Sequence, residues 1–206
     1  MPKGSPELTA ARKEEIMNAC EQLYRTKNFK DITLKDIGTV TSFTRTSIYN
    51  YFQTKEEIFL GLFKREYEAW CDALKTILES DSPASREELA DRIAETLPER
   101  ELMLKLLAVN LYDMEENSRL ELLVDFKKAY FTSVRLMNEI FKKFCSEWND
   151  AERQAITTAV LQFLHGLYPY AHHTEKQEEA MRLAGEMPAE GTILVFAKNG
   201  LRRLLA

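Results

Sequence analysis

The stretch that decides the fold runs from Thr33 to Lys55 and has the sequence TLKDIGTVTSFTRTSIYNYFQTK. Its apolar spacing and polar caps predict two short helices around a tight turn, followed by the start of another helix. Thr33 with Asp36 three residues later is a capping pair for the first helix, and Thr44 caps the second. The pattern is typical of a helix-turn-helix, whose second helix can lie in the major groove of DNA.

The second of these helices carries polar groups suited to DNA. Ile48 and Phe52 lie four residues apart and are expected to face the core, which leaves most of the polar residues between them outside. Guanidinium, hydroxyl, amide and phenol groups hydrogen-bond phosphate oxygens and base edges in a groove. We therefore predict DNA contacts from the start of the first helix (Thr33, Leu34, Lys35), from the second (Thr44, Arg45, Thr46, Ser47, Tyr49, Asn50, Tyr51) and from Lys55.

The whole chain has the composition of a helical globular protein. Of its 206 residues 45% are apolar and 30% charged, and with 7 Gly and 6 Pro long helices meet few interruptions. Helical periodicity recurs from Arg12 to the C-terminal segment, about 192–205, and no long alternating run predicts a strand. We predict an all-α protein of roughly nine or ten helices. Residues 1–54 form the helix-turn-helix domain, and a long fourth helix joins it to a larger helical domain at 55–206.

Charge is unevenly distributed along the chain. The net charge is −5, but residues 1–65 contain 11 Lys and Arg against 8 Asp and Glu, and residues 66–206 contain 17 against 25. A basic head on an acidic body suits a small DNA-binding domain attached to a larger domain, although chance scatter could also produce it.

Sequence features also bear on the compartment. No run approaches the roughly 18 apolar residues of a membrane span, and Met1 to Leu8 lack the apolar core of a secretory signal. Cys20, Cys71 and Cys145 are odd in number and widely spaced on apolar stripes. They are expected to be buried free thiols in a reducing cytoplasm.

Residues 12–63 resemble the N-terminal domain of the TetR, or tetracycline-repressor-like, family of bacterial transcriptional regulators. The matching positions are Arg12, Ile16, Ala19 and Leu23, then Thr33 to Gly38, then the signature from Thr44 to Ile58. The resemblance implies a recognition helix at Thr44–Phe52, with Tyr49 and Lys55 as phosphate anchors. Arg45, Thr46, Ser47 and Asn50 would contact the bases. It also implies a dimer, a palindromic operator and repression relieved by a small effector.

Two positions depart from the family pattern. The family usually has Ala–Gly–Val in the turn, whereas this chain has Thr41–Ser42–Phe43. Because Ser42 replaces a residue that tolerates positive φ, the turn is expected to be slightly strained or differently shaped. Gly38 stands where Ala is usual, which loosens the first helix of the motif by up to ~1 kcal/mol.

A dimer is expected, because two DNA-binding domains on one duplex contact two half-sites about 34–36 Å apart or a multiple of that. The expected dimer contacts are two late helices, at about 150–168 and 192–205. Their apolar stripes also suit an ordinary core. The stripes are Ile156, Val160, Phe163, Leu164 and Leu167 on one helix, and Ile193, Leu194, Phe196, Ala197, Leu201 and Leu204 on the other.

An aromatic-rich and Met-bearing interior suits a small apolar or aromatic effector. The same side chains could be plain core. They are Trp70, Met103, Leu107, Tyr112, Phe126, Tyr130, Phe131, Phe163, Tyr168 and Tyr170. His165, His172 and His173 lie near Tyr168, and exposed histidines at a helix end explain them better than a metal site does. No cofactor is expected.

Two other function classes compete with a regulator. An enzyme lacks support, because the chain shows no Gly-rich phosphate loop, nucleophile elbow or zinc helix. The paired acids are expected to be charged surface; they are Glu56–Glu57, Glu87–Glu88, Glu115–Glu116 and Glu178–Glu179. A helical interaction module without DNA binding explains the amphipathic helices but leaves the polar cluster around Arg45 unexplained.

Overall fold

The computed structural model describes residues 5–80, 85–109, 111–187 and 190–206. Within these ranges the chain forms eleven α-helices, two short 3₁₀ turns (Phe29–Asp31 and Pro98–Arg100) and no strand, which confirms the all-α prediction. The helices are α1 (Pro6–Tyr24), α2 (Leu34–Thr39), α3 (Arg45–Ile48), α4 (Lys55–Glu79), α5 (Arg86–Glu95), α6 (Glu101–Val109), α7 (Leu111–Glu116), α8 (Leu120–Phe144), α9 (Asp150–Ala171), α10 (Glu175–Leu183) and α11 (Ile193–Leu204).

Side-chain caps set most of the helix starts, as the sequence predicts. The hydroxyl or amide oxygens of Thr33, Thr44, Ser85, Asn149 and Thr174 each accept a hydrogen bond from a backbone N–H three residues later. Each cap therefore satisfies a donor that the first turn leaves free.

Ser118, just before α8, has a residue type that favours capping, and its pattern with Glu121 three residues later predicts a cap. The prediction is wrong, because its buried hydroxyl has no hydrogen-bond partner and the first turn of α8 closes on the carbonyl of Arg119 instead. Arg119, and with it the start of α8, is bonded to Glu57 of α4.

The described residues fall into two compact units, and α4 and α8 contribute to both. The first unit comprises residues 5–65 and 111–128, and the second comprises the described residues of 66–109 and 129–206. This structural division falls within α4, whereas the boundary predicted at residue 54 concerns which part binds DNA and stays a prediction. α7 and the start of α8 thus belong to the same unit as the helix-turn-helix.

The first unit is built around aromatic and β-branched side chains. Phe59 packs against Tyr24 and Phe29, with ring centroids 5.0 and 4.6 Å apart, and Phe63 stacks on Phe126 at 4.9 Å. On the outside, Arg65 of α4 bonds three side chains of α1, which are Glu14, Asn18 and Glu21. α1 is thereby fixed against α4 by both apolar packing and charge.

The second unit is a helical bundle in which α11 packs on α5 and α9, and α6 packs on α9. The ring of Phe163 lies so close to Gly200 that a Cβ there would collide with it. Arg202 of α11 also forms a bidentate ion pair with Asp91 of α5. Of the eleven residues in the two stripes expected to form a dimer contact, six are buried in this unit: Val160, Leu164, Leu167, Ile193, Ala197 and Leu201.

The three cysteines are buried and free, as expected. Burial raises the pKa of all three thiols, and those of Cys71 and Cys145 reach about 11. They are therefore protonated at neutral pH and pack as small apolar groups.

Candidate nucleic-acid interface

α2 is a single short helix fixed at its start by a reciprocal cap. The backbone N–H of Asp36 donates to Thr33 Oγ1 at 3.2 Å, and the N–H of Thr33 donates to the Asp36 carboxylate at 2.9 Å. The hydrogen bond from the Thr33 hydroxyl lowers the pKa of Asp36. Leu34 is half-buried at the first helical position and Lys35 is exposed beside it.

The spacing of Leu34, Ile37 and Val40 predicts that all three form the inner face of α2, but the observed face is smaller. Ile37 is fully buried, whereas Val40 is 41% exposed. α2 has only six residues and ends at Thr39, so Val40 has already left the helical backbone with φ −116°.

The turn between α2 and α3 is tied to α1. The backbone N–H and the hydroxyl of Ser42 both donate to Glu15 Oε1, at 3.0 and 2.7 Å, and the hydroxyl bond lowers the pKa of that carboxyl. Ser42 has no positive φ, so the expected backbone strain is absent and the turn is shaped by this contact instead. Glu15 was missed at the sequence level because its partner lies 27 residues away.

α3 is shorter than the recognition helix expected at Thr44–Phe52. The α-helix covers Arg45–Ile48 only, and turn residues follow it. The backbone N–H groups of Asn50 and Tyr51 donate to carbonyls three residues back, a tighter pattern than the α-helix. The helix therefore ends as a narrowed turn that leads into α4.

Four of the residues predicted to contact DNA are exposed together on α3 and the turn that follows it. Arg45, Thr46, Tyr49 and Asn50 are exposed, and Ile48 and Phe52 behind them are buried at 0% and 3% exposure. Arg45 donates to the Tyr49 hydroxyl at 3.0 Å, so the two side chains extend together from one side. Ser47 is half-buried and lies 3.0 Å from the hydroxyl of the capping Thr44.

Tyr51 does not belong to this exposed face. It is only 5% exposed, and its hydroxyl accepts a hydrogen bond from Arg12 of α1 at 2.9 Å. The narrowed turn after Ile48 points the phenol into the protein, so its role as an arm toward phosphate is contradicted. Tyr51 instead connects the turn after α3 to α1.

The ammonium group of Lys55 already makes contacts within the protein. Its ammonium donates to the carbonyl of Phe29 at 2.8 Å and lies 4.4 Å from the centre of the Phe29 ring. At most two of its three N–H groups therefore remain for a phosphate.

Glu57 is buried, which corrects its assignment to charged surface. It is 1% exposed, and its carboxylate accepts hydrogen bonds from the side chain and backbone of Arg119 and from the backbone of Gln53. Burial alone would raise the pKa of Glu57, but these bonds and the Arg119 charge outweigh it and lower the pKa. Arg119 also donates to the carbonyl of Tyr51 at 3.3 Å.

The Thr54 side chain makes a second contact with the same segment. Its hydroxyl accepts from the Glu57 backbone, as a cap should, and donates to the carbonyl of Asn117 at 3.0 Å. The segment 117–119, which joins α7 to α8, thus bonds to Tyr51 and to Thr54, near the two ends of the link between α3 and α4. The sequence offers no sign of this contact, because Glu57 and Arg119 are 62 residues apart.

The side chains expected to line one effector pocket are dispersed. Tyr112 is 87% exposed and Tyr170 is 70% exposed, and both sit on polar, solvent-facing helix surfaces. Phe126 packs in the first unit, whereas Trp70, Met103 and Leu107 are buried core of the second. Phe163 packs on Gly200, and Tyr168 stacks on His172 at 4.4 Å. Trp70, Phe126 and Phe163 thus pack inside their own units, whereas Tyr112 and Tyr170 face solvent. A single effector pocket lined by this set stays a prediction.

A groove of about 610 Å³ does lie in the second unit, between α8 and α9. Of the side chains expected in a pocket it is lined by Tyr130 and Phe131. The other lining groups are mainly polar.

The histidines are not gathered into one cluster. His172 Nε2 lies 3.3 Å from Glu101 Oε1, and the described residues contain no group of three or more His, Cys, Asp or Glu that could hold a metal ion.

None of the helices in the described ranges is long and apolar enough to cross a membrane.

Comparison with known proteins gives a family match over most of the second unit. The family model described as the tetracyclin repressor-like C-terminal domain matches residues 64–191. The uncharacterized HTH-type transcriptional regulator YfiR of Bacillus subtilis is 34% identical over 58 residues. That match spans 28% of this chain and 28% of YfiR.

Solved structures share the fold over nearly the whole chain. The TetR family regulator PfmR of Thermus thermophilus superposes with a TM-score of 0.62 at 13% identity, covering 92% of this chain and 96% of PfmR. A regulator of the TetR/AcrR family from Thermobifida fusca gives 0.62 at 18% identity, covering 95% and 97%. The fatty acid degradation regulator FadR of Bacillus halodurans gives 0.61 at 13%, covering 100% and 96%.

Proposed function

Because the chain belongs to the tetracycline-repressor-like family of transcriptional regulators, we propose that it binds duplex DNA through α3, as a homodimer on a palindromic operator. In this proposal a small effector releases the protein from the operator, the protein works in the cytoplasm, and it has no catalytic role.

The outward face of α3 is the observation that carries the proposal. A one-turn helix with Ile48 buried behind it presents a guanidinium, a hydroxyl, a phenol and an amide to solvent. Arg45 can form paired bonds to guanine, and Asn50 can do so to adenine. Thr46 and Ser47 are short enough for the backbone to approach the duplex, while Tyr49, Lys35 and the remaining N–H groups of Lys55 serve phosphates.

The supporting contacts of the first unit hold this face in place. Glu15 bonds the turn before α3, Arg12 bonds Tyr51 after it, and Arg119 bonds the carbonyl of Tyr51. Because one misplaced helix loses several base contacts together, such fixation favours specific over loose binding.

Dimerisation is proposed through α9 and α11. The exposed side of α11 carries Val195, which is 46% exposed, beside the half-buried Phe196. A single head buries little DNA surface, so two symmetric heads are needed for tight, specific binding.

Selection of bound duplexes from a random library tests the proposal. We expect a palindromic consensus whose half-sites lie one helical turn, or a multiple of it, apart. Affinity for the selected duplex should fall steeply with salt, because phosphate contacts release counterions. A helical interaction module would bind no duplex at any salt concentration, and that result would overturn the proposal.

A further inference from the structure

The groove between α8 and α9 contains a buried polar group without a partner. Thr157 of α9 lines the groove, is 2% exposed, and its hydroxyl has no hydrogen-bond partner. An unpaired buried hydroxyl costs free energy, and such groups are rare in folded proteins. The hydroxyl oxygen itself has almost no accessible surface, so a molecule bound in the groove gives it the missing partner once the side chains that cover it shift.

We propose that this groove binds a small neutral molecule with a planar ring and an amide-type group. None of its lining residues is among those predicted to contact DNA, so the inference does not depend on DNA binding. The groove shares Tyr130 and Phe131 with the set of side chains that the sequence suggests for an effector pocket.

Two kinds of side chain line the groove. Tyr130, Phe131 and Leu161 supply apolar and aromatic surface, and Phe131 is 51% exposed. Asn138, Gln154 and Gln162 supply carboxamides, each of which both donates and accepts hydrogen bonds. A flat ring packs on the first set, and an amide pairs with the second and with the Thr157 hydroxyl.

The charges of the lining favour a neutral occupant. Among the described lining residues there is no Lys or Arg to pair with an anion. Asp150 is the acidic member of that lining, and its carboxylate already forms an ion pair with Arg153 of the same helix. A charged ligand would lose hydration without gaining an opposite charge, whereas a neutral one loses less.

Size and position suit a small ligand. A volume of about 610 Å³ lies within the usual range for small-molecule sites. On α9 the groove uses Gln154, Thr157, Leu161 and His165, which repeat at helical spacing on one face. None of these belongs to the stripe proposed for dimerisation.

Benzamide is the probe, because it is planar, neutral and carries one primary amide. It is titrated into the isotopically labelled full chain while backbone amide shifts are followed, with benzoate and benzylammonium as charged analogues. We expect saturable shifts confined to the groove-facing parts of α8 and α9, with a Kd of about 1 mM for so small a molecule. Both charged analogues should bind at least about threefold more weakly.

Substitution of Thr157 separates a ligand site from a structural defect. Thr157→Val removes the unpaired hydroxyl, so it should raise the melting temperature of the free protein by about 2–4 °C. It should also weaken benzamide binding about 3–10-fold, whereas Thr157→Ser should keep it. Ser133→Ala is the matched control: its buried hydroxyl donates to the Tyr130 carbonyl, so its loss should lower the melting temperature.

Several results would overturn the proposal. These are the absence of saturable shifts up to about 10 mM benzamide, shifts centred away from the groove, equal binding of benzoate, or unchanged benzamide binding by Thr157→Val. A lower melting temperature for Thr157→Val would show that the hydroxyl is already satisfied in the free protein, which removes the premise.

Discussion

Arg45 and Tyr49 show how single residues prepare the proposed DNA surface. They lie four apart, extend from the same side of α3 and bond to each other at 3.0 Å. Because the pair is exposed, breaking it to contact a base costs little. The guanidinium is therefore ordered before DNA arrives but remains available.

The first prediction concerns this guanidinium. Arg45→Ala should weaken binding to the selected operator by about 1–3 kcal/mol and relax the preference at one base pair, while thermal stability stays within about 0.5 kcal/mol. Competition binding with single-base variants of the operator measures both effects. Arg182→Ala, which removes an exposed arginine on α10, is the control and should bind normally. Wild-type affinity and specificity for Arg45→Ala would remove its assigned role.

Glu57 and Arg119 form the most buried charge pair described in the first unit. Removing Arg119 leaves the buried Glu57 carboxylate without its opposite charge. Removing Glu57 leaves the N–H donors of Arg119 without their acceptor. Arg119→Ala should therefore destabilise the protein by about 3 kcal/mol, measured by denaturant unfolding. Arg135→Ala on the exposed side of α8 should cost less than about 0.5 kcal/mol. Equal costs for the two variants would contradict the importance of the buried pair.

The same carboxylate makes stability depend on acid pH. The pKa of Glu57 is lowered in the folded protein from its ordinary value of 4.5, so its contribution is fully present above that value. It is lost as pH falls through the lowered folded pKa. The unfolding free energies of the wild type and Glu57→Gln should therefore differ most near neutral pH and converge as the pH falls from 4.5 through the lowered folded pKa. A difference that stays constant down to acid unfolding would show that the charge is not what stabilises this site.

Among the elements, α2 and α3 are unusually close at Gly38. A Cβ at this position would lie 3.3 Å from both the backbone nitrogen of Arg45 and the carbonyl oxygen of Phe43. Glycine lowers the helix propensity of α2, but it lets the backbone of α2 lie close to the backbone of Phe43 and Arg45. This close contact fixes the position of Arg45, the first residue of α3, which carries the exposed guanidinium.

Gly38→Ala should therefore separate stability from DNA binding. The gain in helix propensity, up to ~1 kcal/mol, and the tight contact nearly cancel, so the unfolding free energy should change by less than ~1 kcal/mol. Operator affinity should fall because α3 is displaced by a few tenths of an ångström. Gly166→Ala in α9 is the matched control: a Cβ there meets nothing within 4 Å, so it should stabilise the protein by about 0.5–1 kcal/mol without changing affinity. Unchanged affinity for Gly38→Ala would show that the spacing of α2 and α3 is not critical.

For the whole molecule, assembly decides whether two α3 helices can act together. α11 has an amphipathic pattern that buries Ile193, Ala197 and Leu201 in the second unit and leaves Val195 on the outside. We propose that Val195 and the neighbouring half-buried Phe196 form part of the contact with a second copy.

Val195→Glu should convert the proposed dimer to a monomer at micromolar concentration, because a carboxylate would be buried without a partner. Light scattering after size-exclusion chromatography measures the mass, and operator binding should weaken with it. Thr76→Glu, an exposed site on α4, should remain dimeric. A wild-type monomer would overturn the assembly, and a dimeric Val195→Glu would place the contact elsewhere.

What sequence alone determined about this protein is mostly local: the all-α class, most helix starts, and the exposed polar face around Arg45. These follow from caps and apolar periodicity, which act over three or four residues. Family membership also follows from the sequence, since a family model matches residues 64–191.

Only the tertiary structure decided the rest. It buried Tyr51 and Glu57, shortened α3, bonded Ser42 to Glu15, and placed α7 and the start of α8 with the helix-turn-helix. It also placed the unpaired Thr157 hydroxyl in a groove between two helices. Each of these depends on contacts between residues far apart in the chain, where burial and charge pairing outweigh local propensity and leave no periodic signal to detect.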